Sequence, residues 1–198
     1  MYYSGKSLYS GKFKQTGNSC AASTLMIALH ERDSKNSVDA TQEETLYAET
    51  VEKVDPRLTQ HQYSSPQNIL ATARKNGLNA ALYKTEEIRL SDLADGQEQQ
   101  LKDFVDTQSP TVVDRAQLIK LLDSGWLQVL TYADRDQEKK HWLLLRKQGS
   151  SYYLYDTGRG VNQEVVKIDD ILAFDQLFEI NKPNNDEYCF LGVAIHLT

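Results

Sequence analysis

Four residues whose types combine in acyl transfer stand at separate points along this chain: Gln15, Cys20, His141 and Asp156. Cys20 follows the polar turn Gly17-Asn18-Ser19 and opens the apolar run CAASTLMIALHER. A cysteine at a helix N-terminus meets N–H groups with no intrahelical partner and a positive partial charge, which favour the thiolate. The same N–H groups can hold an oxyanion. His141 begins the strand-like run H-W-L-L-L after the charged stretch D-R-D-Q-E-K-K, which sets it at a cleft edge. A thiol nucleophile needs such a base within hydrogen-bond reach. Asp156 closes the run Y-Y-L-Y-D, fifteen residues beyond His141. A hairpin turning near residue 149 would set the two on neighbouring strands at one end, where a carboxylate binds the imidazole N–H and fixes its tautomer. Gln15, five residues before Cys20, carries a side-chain amide suited to be a second oxyanion donor. Each residue also has a plainer reading: a core cysteine, a solvent-facing histidine, a turn-forming aspartate, an exposed glutamine. Convergence of all four on one cleft edge is what selects the catalytic reading. Asn18, Ser19 and Trp142 are the candidate lining of the substrate cleft.

The elements that must position these residues follow from pattern. Residues 20–32 read as a buried helix, capped by Asn18 or Ser19. Residues 41–54 read as a second helix, with Thr41 opening a capping box to Glu44 and Leu46, Val51 and Val54 on one face. Ser65-Pro66 opens a third that stops at Asn76-Gly77. A short strand follows over 78–84. Residues 86–110 are polar and read as an irregular insertion with one weak helix. A fourth helix covers 114–123, with Gly125 as its stop. Strands are expected at 126–132, 141–147, 152–156, 165–168 and 188–197, with Gly149-Ser150-Ser151 as a hairpin turn and a helical turn at 169–175. Helices first and mostly antiparallel strands after is an α+β layout. No linker divides it, so residues 15–198 are expected to form one domain behind an N-terminal arm, 1–14, in which Tyr-Ser-Gly-Lys occurs twice.

Composition narrows the function classes. The 198 residues carry 22 basic and 28 acidic side chains, a net charge of −6, which argues against nucleic acid as a partner. Two cysteines and four scattered histidines show no metal-ligand spacing, so no metal or other cofactor is expected. No apolar signal-peptide core opens the chain, and no run approaches the roughly 18 apolar residues of a membrane span. A soluble cytoplasmic product, monomeric, is the expectation; export by a dedicated, signal-peptide-independent system leaves no mark in such a sequence. His30 and Glu31 read as a solvated helix end, Cys189 as a core residue, and the eleven tyrosines as packing groups.

Q-T-G-N-S-C-A-A-S-T-L at 15–25 resembles the Gln…Cys-helix signature of papain-like cysteine peptidases. L-L-D-S-G-W-L-Q-V-L at 121–130, H-W-L-L-L at 141–145, Y-L-Y-D-T-G at 153–158 and S-P-Q-N-I-L-A-T-A-R-K-N-G-L-N-A at 65–80 are similar to the bacteriocin-leader-processing branch. The resemblance spans about residues 12–160. It implies a papain-like fold: an N-terminal helical lobe bearing the nucleophile helix, packed on an antiparallel sheet that bears His and Asp. Gln15 then matches the oxyanion glutamine, Cys20 the nucleophile, His141 the base and Asp156 its orienter, acting on a protein or peptide substrate. Two positions depart from that pattern: Ala21 stands where the family has Gly, and Thr157 where it has Pro. Free-standing bacterial effectors of the same superfamily are also similar; some cut peptides and others deamidate a glutamine. A binding module on the same shell is the remaining alternative.

Overall fold

The structure, a computed structural model, describes residues 7–51, 64–88, 109–133, 140–174, 176–180 and 187–198. Val54, His61, the first Tyr-Ser-Gly-Lys and most of the polar 86–110 insertion lie outside these residues. Three helices come first: α1 (Cys20–Arg32), α2 (Ala40–Thr50) and α3 (Pro66–Lys75). The strands are β1 (Ala80–Lys84), β2 (Thr111–Val112), β3 (Trp126–Ala133), β4 (Lys140–Gln148), β5 (Ser151–Asp156), β6 (Val161–Val165), β7 (Leu177–Glu179) and β8 (Glu187–Leu197). Two short helices, α4 (Arg115–Leu121) and α5 (Ile168–Ile171), lie among them. The chain is thus mixed α+β, with helices at the N-terminus and a large C-terminal sheet.

The sheet runs β2-β1-β8-β3-β4-β5-β6, with β7 on β8. Only the β1–β2 pair among these is parallel. β8 is the axis: β3 lines one edge, while β1 and β7 share the other. The change of partner coincides with Gly192, at φ +83°, where a Cβ would come within 2.5 Å of the Glu87 carbonyl oxygen. Only glycine fits both that backbone and that approach.

Successive residues of a strand face opposite sides. Trp142 and Leu144 join a cluster with α1, α2 and α3, while Leu143 and Leu145 join one with Leu118, Ile168 and Phe178. β4 therefore reads as a continuous apolar run because both its faces are covered. α1 is buried on nearly every side, which its small and aliphatic residues permit.

Local signals placed several elements closely. Ser65 caps α3 with its side chain on the Asn68 N–H at 3.2 Å, and Gly77 takes φ +82° just beyond the helix. Others were displaced. Asp39, not Thr41, caps α2, its carboxylate accepting from the Gln42 N–H at 2.8 Å. The strand expected at 165–168 is β6, at Val161–Val165, because pairing with β5 sets its bounds, and Ile168 instead starts α5. β2 and β7 are too short to carry a period.

Glu31 corrects the reading of a solvated helix end. It is 4% exposed and forms an ion pair with the equally buried Arg146 of β4. Its carboxylate also accepts from the Trp126 indole N–H at 2.7 Å and the Tyr9 N–H at 2.9 Å. Arg146 in turn bonds Asn162 of β6, whose amide donates to the Tyr9 carbonyl at 2.8 Å. The Tyr155 hydroxyl contacts the carbonyls of Gly11 and Phe13 at 3.1 and 3.2 Å. From residue 9 onward the arm is thereby strapped across β5, β6 and the end of α1. A buried charge that loses its partner is costly, so Arg146→Met should lower stability by about 3–5 kcal/mol. Urea unfolding measures this as a lower midpoint at unchanged slope; a loss below about 1 kcal/mol would show the pair to be dispensable.

Candidate active site

Cys20 is the first residue of α1 and is partly exposed. Ser19 occupies the cap position, yet its side chain makes no cap bond to the helix. Its hydroxyl donates instead to the buried carboxylate of Glu43 of α2, 2.5 Å away, a charge-assisted bond that holds the side chain off the first-turn amides. Glu43 also accepts from the Ser23 hydroxyl at 2.7 Å and from the Thr16 hydroxyl and N–H at 2.8 and 3.0 Å. One carboxylate thus ties the turn before Cys20 to two helices, and the first-turn amides keep no side-chain cap.

His141 lies at the start of β4, opposite Thr131 of β3, and its ring is 13% exposed. Nε2 lies 2.7 Å from Asp156 Oδ1. That bond occupies Nε2 and leaves Nδ1 as the ring nitrogen for another partner. Cys20, at the head of α1, is close enough to act on the same imidazole by hydrogen bonding and charge. Burial alone would lower the His141 pKa, but hydrogen bonding and charge from Asp156 and from Cys20 push it up to about 10.

Asp156, the last residue of β5, is fully buried. Oδ1 also accepts the Gly158 N–H at 2.8 Å, and Oδ2 accepts the Tyr188 hydroxyl at 3.1 Å, with Arg159 Nε 3.9 Å away. Burial works to raise its pKa, but the bonds from His141, Tyr188 and Gly158 prevail and hold it below the usual carboxylate range. The same burial and the Asp156 charge push the Tyr188 phenol up. The phenol therefore keeps its proton and donates it in a hydrogen bond to Asp156.

The β4–β5 register, with Leu144 opposite Tyr155, extrapolates to Gly158 level with His141. A Cβ there would come 3.0 Å from His141 Cε1 and 3.2 Å from Asp156 Oδ1. The missing side chain makes room for the ring.

Gln15 comes to this end of the sheet on the N-terminal arm. Its N–H donates to the Thr157 carbonyl at 2.9 Å and its side-chain Oε1 accepts the Thr157 hydroxyl at 2.7 Å. Nε2 donates to the Gly17 carbonyl at 2.8 Å. Gln15, through Thr157, and the His141–Asp156 pair thus share one end of the sheet, and Cys20 acts on His141 by hydrogen bonding and charge. Asn18 is exposed in the turn before Cys20. Ser19 and Trp142 are 1% and 4% exposed, Ser19 against Glu43 and Trp142 in the core beneath α1, so neither side chain walls an open cleft.

Sequence reasoning missed Glu43, Thr157, Gly158, Arg159 and Tyr188. Tyr188 carries no mark of its own among eleven tyrosines and is 32 residues from Asp156. Gly158 had a signal, its place two residues after Asp156, which also reads as ordinary turn chemistry.

Two outcomes follow from this geometry. His141 has a folded pKa of about 10 against an ordinary 6.5. The folded state therefore binds the proton more tightly, and this contribution to stability is complete below about 6.5 and lost as pH rises toward about 10. Denaturation at stepped pH should show wild type losing more stability across that window than His141→Gln; equal slopes would contradict the linkage. Gly158→Ala should crowd the His141–Asp156 pair, shrinking that pH-dependent difference while the far-ultraviolet circular dichroism stays unchanged. An unaltered pH dependence would mean the ring moves aside freely.

No protein-family model matches the chain, and no curated protein matches it in sequence. Among solved structures the chain is similar to a double glycine motif protease from an AMS/PCAT transporter, crystallised in complex with the leader peptide. The two are 14% identical, the match covers 93% of this chain and 87% of that one, and the TM-score is 0.43.

Proposed function

We propose that this chain is a cysteine hydrolase that cleaves amide bonds in peptide substrates through Cys20, His141 and Asp156, with Gln15 as an oxyanion donor. One observation carries the reading. A single imidazole is held by a fully buried carboxylate through Nε2 at 2.7 Å and is engaged by the sulfur at the head of α1 as well. A structural histidine has no need of both partners.

The chemistry follows from those contacts. Cys20 gives its proton to His141, and the thiolate attacks the amide carbonyl carbon. The C–S bond forms, and the carbonyl π pair moves onto oxygen. The Gln15 amide and the Cys20 backbone N–H receive that oxyanion. Collapse expels the nitrogen, which takes the proton from His141, leaving a thioester on Cys20. Water then gives a proton to His141 and attacks the thioester; the thiolate leaves and a carboxylic acid is released. An imidazolium pushed up to about 10 holds its proton at neutral pH until the departing nitrogen takes it. Amides need such an acid more than activated esters do, because an amide anion is a poor leaving group. The peptide class is supported by the motif likeness of residues 15–25 to papain-like peptidases.

Iodoacetamide treatment of the folded protein, followed by intact-mass analysis and mapping, should add one label, at Cys20, since Cys189 is fully buried. Cys20→Ala should take no label and should lose all turnover of a peptide library, read by mass spectrometry. Undiminished turnover in that variant would overturn the proposal.

A further inference from the structure

The Gln15 side chain is held at both ends of its amide. The Gly17 carbonyl can only accept, so it is Nε2 that faces Gly17, at 2.8 Å. Gly17 takes φ +71°, which few residues other than glycine adopt and which turns that carbonyl back toward Gln15. With Nε2 fixed there, Oε1 faces Thr157, and the Thr157 hydroxyl must be the donor, at 2.7 Å. The backbone of the same two residues is joined as well, Gln15 N–H to Thr157 carbonyl at 2.9 Å. Thr157 is fully buried, so water does not compete for its hydroxyl. One Nε2 proton is spent on Gly17, and the second has no acceptor among the described residues.

From this two-point clamp we infer that Thr157 is a positioning residue for the oxyanion donor: its hydroxyl fixes the rotation of the Gln15 amide so that the second Nε2 proton is presented to a developing oxyanion. The inference rests on the hydrolase reading above. It gives a purpose to the residue at which the sequence departs from the papain-like pattern. Proline there would have no hydroxyl to offer. It also makes one peptide serve both halves of the reaction. Asp156 orients the base, and Thr157, its neighbour, orients the oxyanion donor.

The test separates reactions that form an oxyanion from those that do not. With p-nitrophenyl acetate the thiolate attacks the carbonyl, an oxyanion forms, the C–O bond breaks with its pair going to nitrophenolate, and Cys20 is acetylated. With iodoacetamide the thiolate displaces iodide at a saturated carbon, the C–I pair leaving with iodide, and no oxyanion forms. Thr157→Val keeps the side-chain volume and removes the hydroxyl. It should slow acetylation about tenfold, less than the hundredfold or more that losing an oxyanion donor outright costs. Alkylation should stay within about twofold of wild type, which also certifies that the thiol and His141 are intact. Thr157→Ser should restore acetylation. In a Gln15→Ala background, Thr157→Val should have no further effect, because the group it positions is gone. If the valine variant folds poorly, Thr157→Ala removes the same hydroxyl without setting a methyl against Oε1 and should give the same pattern. Acetylation at the wild-type rate in the hydroxyl-free variants, a parallel fall in alkylation, or a full effect persisting without Gln15 would each overturn the clamp. A wild-type chain that reacts with neither reagent at Cys20 overturns the hydrolase reading itself.

Discussion

A carboxylate sealed from water at the end of a β strand must find donors or surrender its charge. Asp156 finds them on three sides: an imidazole, a backbone amide and a phenol. Each comes from a different part of the chain, and each is constrained in turn. The imidazole must leave β4 at the level of Gly158, where no side chain blocks it. The phenol must come from the start of β8, which requires β8 to run beside β3 with Tyr188 at the same end as His141. Satisfying one buried charge therefore dictates how three strands end together.

The same device recurs twice nearby. Glu43 gathers the hydroxyls of Thr16, Ser19 and Ser23, and so binds the turn before Cys20 to α1 and α2. Glu31 gathers Arg146, Trp126 and the Tyr9 amide, and so binds the arm to the sheet. The consequence differs between them. Glu43 draws the Ser19 hydroxyl away from the helix it would otherwise cap, leaving the head of α1 to present its amides at Cys20. Glu31 works at the other end of the same helix, where the chain needs an anchor rather than an open terminus. Polar groups inside a dry core are costly unless fully bonded, and a fully bonded one fixes its neighbours in a single arrangement.

What local sequence could reveal tracks how far away the deciding partner lies. The ends of α3 were legible because Ser65, Pro66, Asn76 and Gly77 act within their own turns. The β4–β5 hairpin was legible because Gly149, at φ +60°, sits between two apolar runs. Cys20, His141 and Asp156 could be singled out because each stands where its own element begins or ends. Their supports could not. Glu31 follows His30 at the end of a helix that looks solvated until Arg146, 115 residues later, is packed against it. β6 was misplaced because Val165 and Val166 look strand-like alone, whereas pairing with Tyr152–Asp156 selects residues 161–165 and leaves Val166 95% exposed. Asp39 displaced Thr41 as the α2 cap because an ionised acceptor binds an amide more strongly than a hydroxyl does.

The arm before Cys20 shows why such long-range terms matter for chemistry as well as for stability. A segment rich in glycine, lysine and serine has little apolar surface with which to order itself beyond Tyr9 and Phe13, which pack against the core. Bonds to its backbone complete the ordering: Tyr9 through Glu31 and Asn162, Gly11 and Phe13 through the Tyr155 hydroxyl, and Gln15 through Thr157. Beyond Gln15, Thr16 is anchored in turn, to Glu43. An element that looks like a loose arm in sequence thus follows a fixed path, and the rigidity comes from the sheet it crosses rather than from the segment itself.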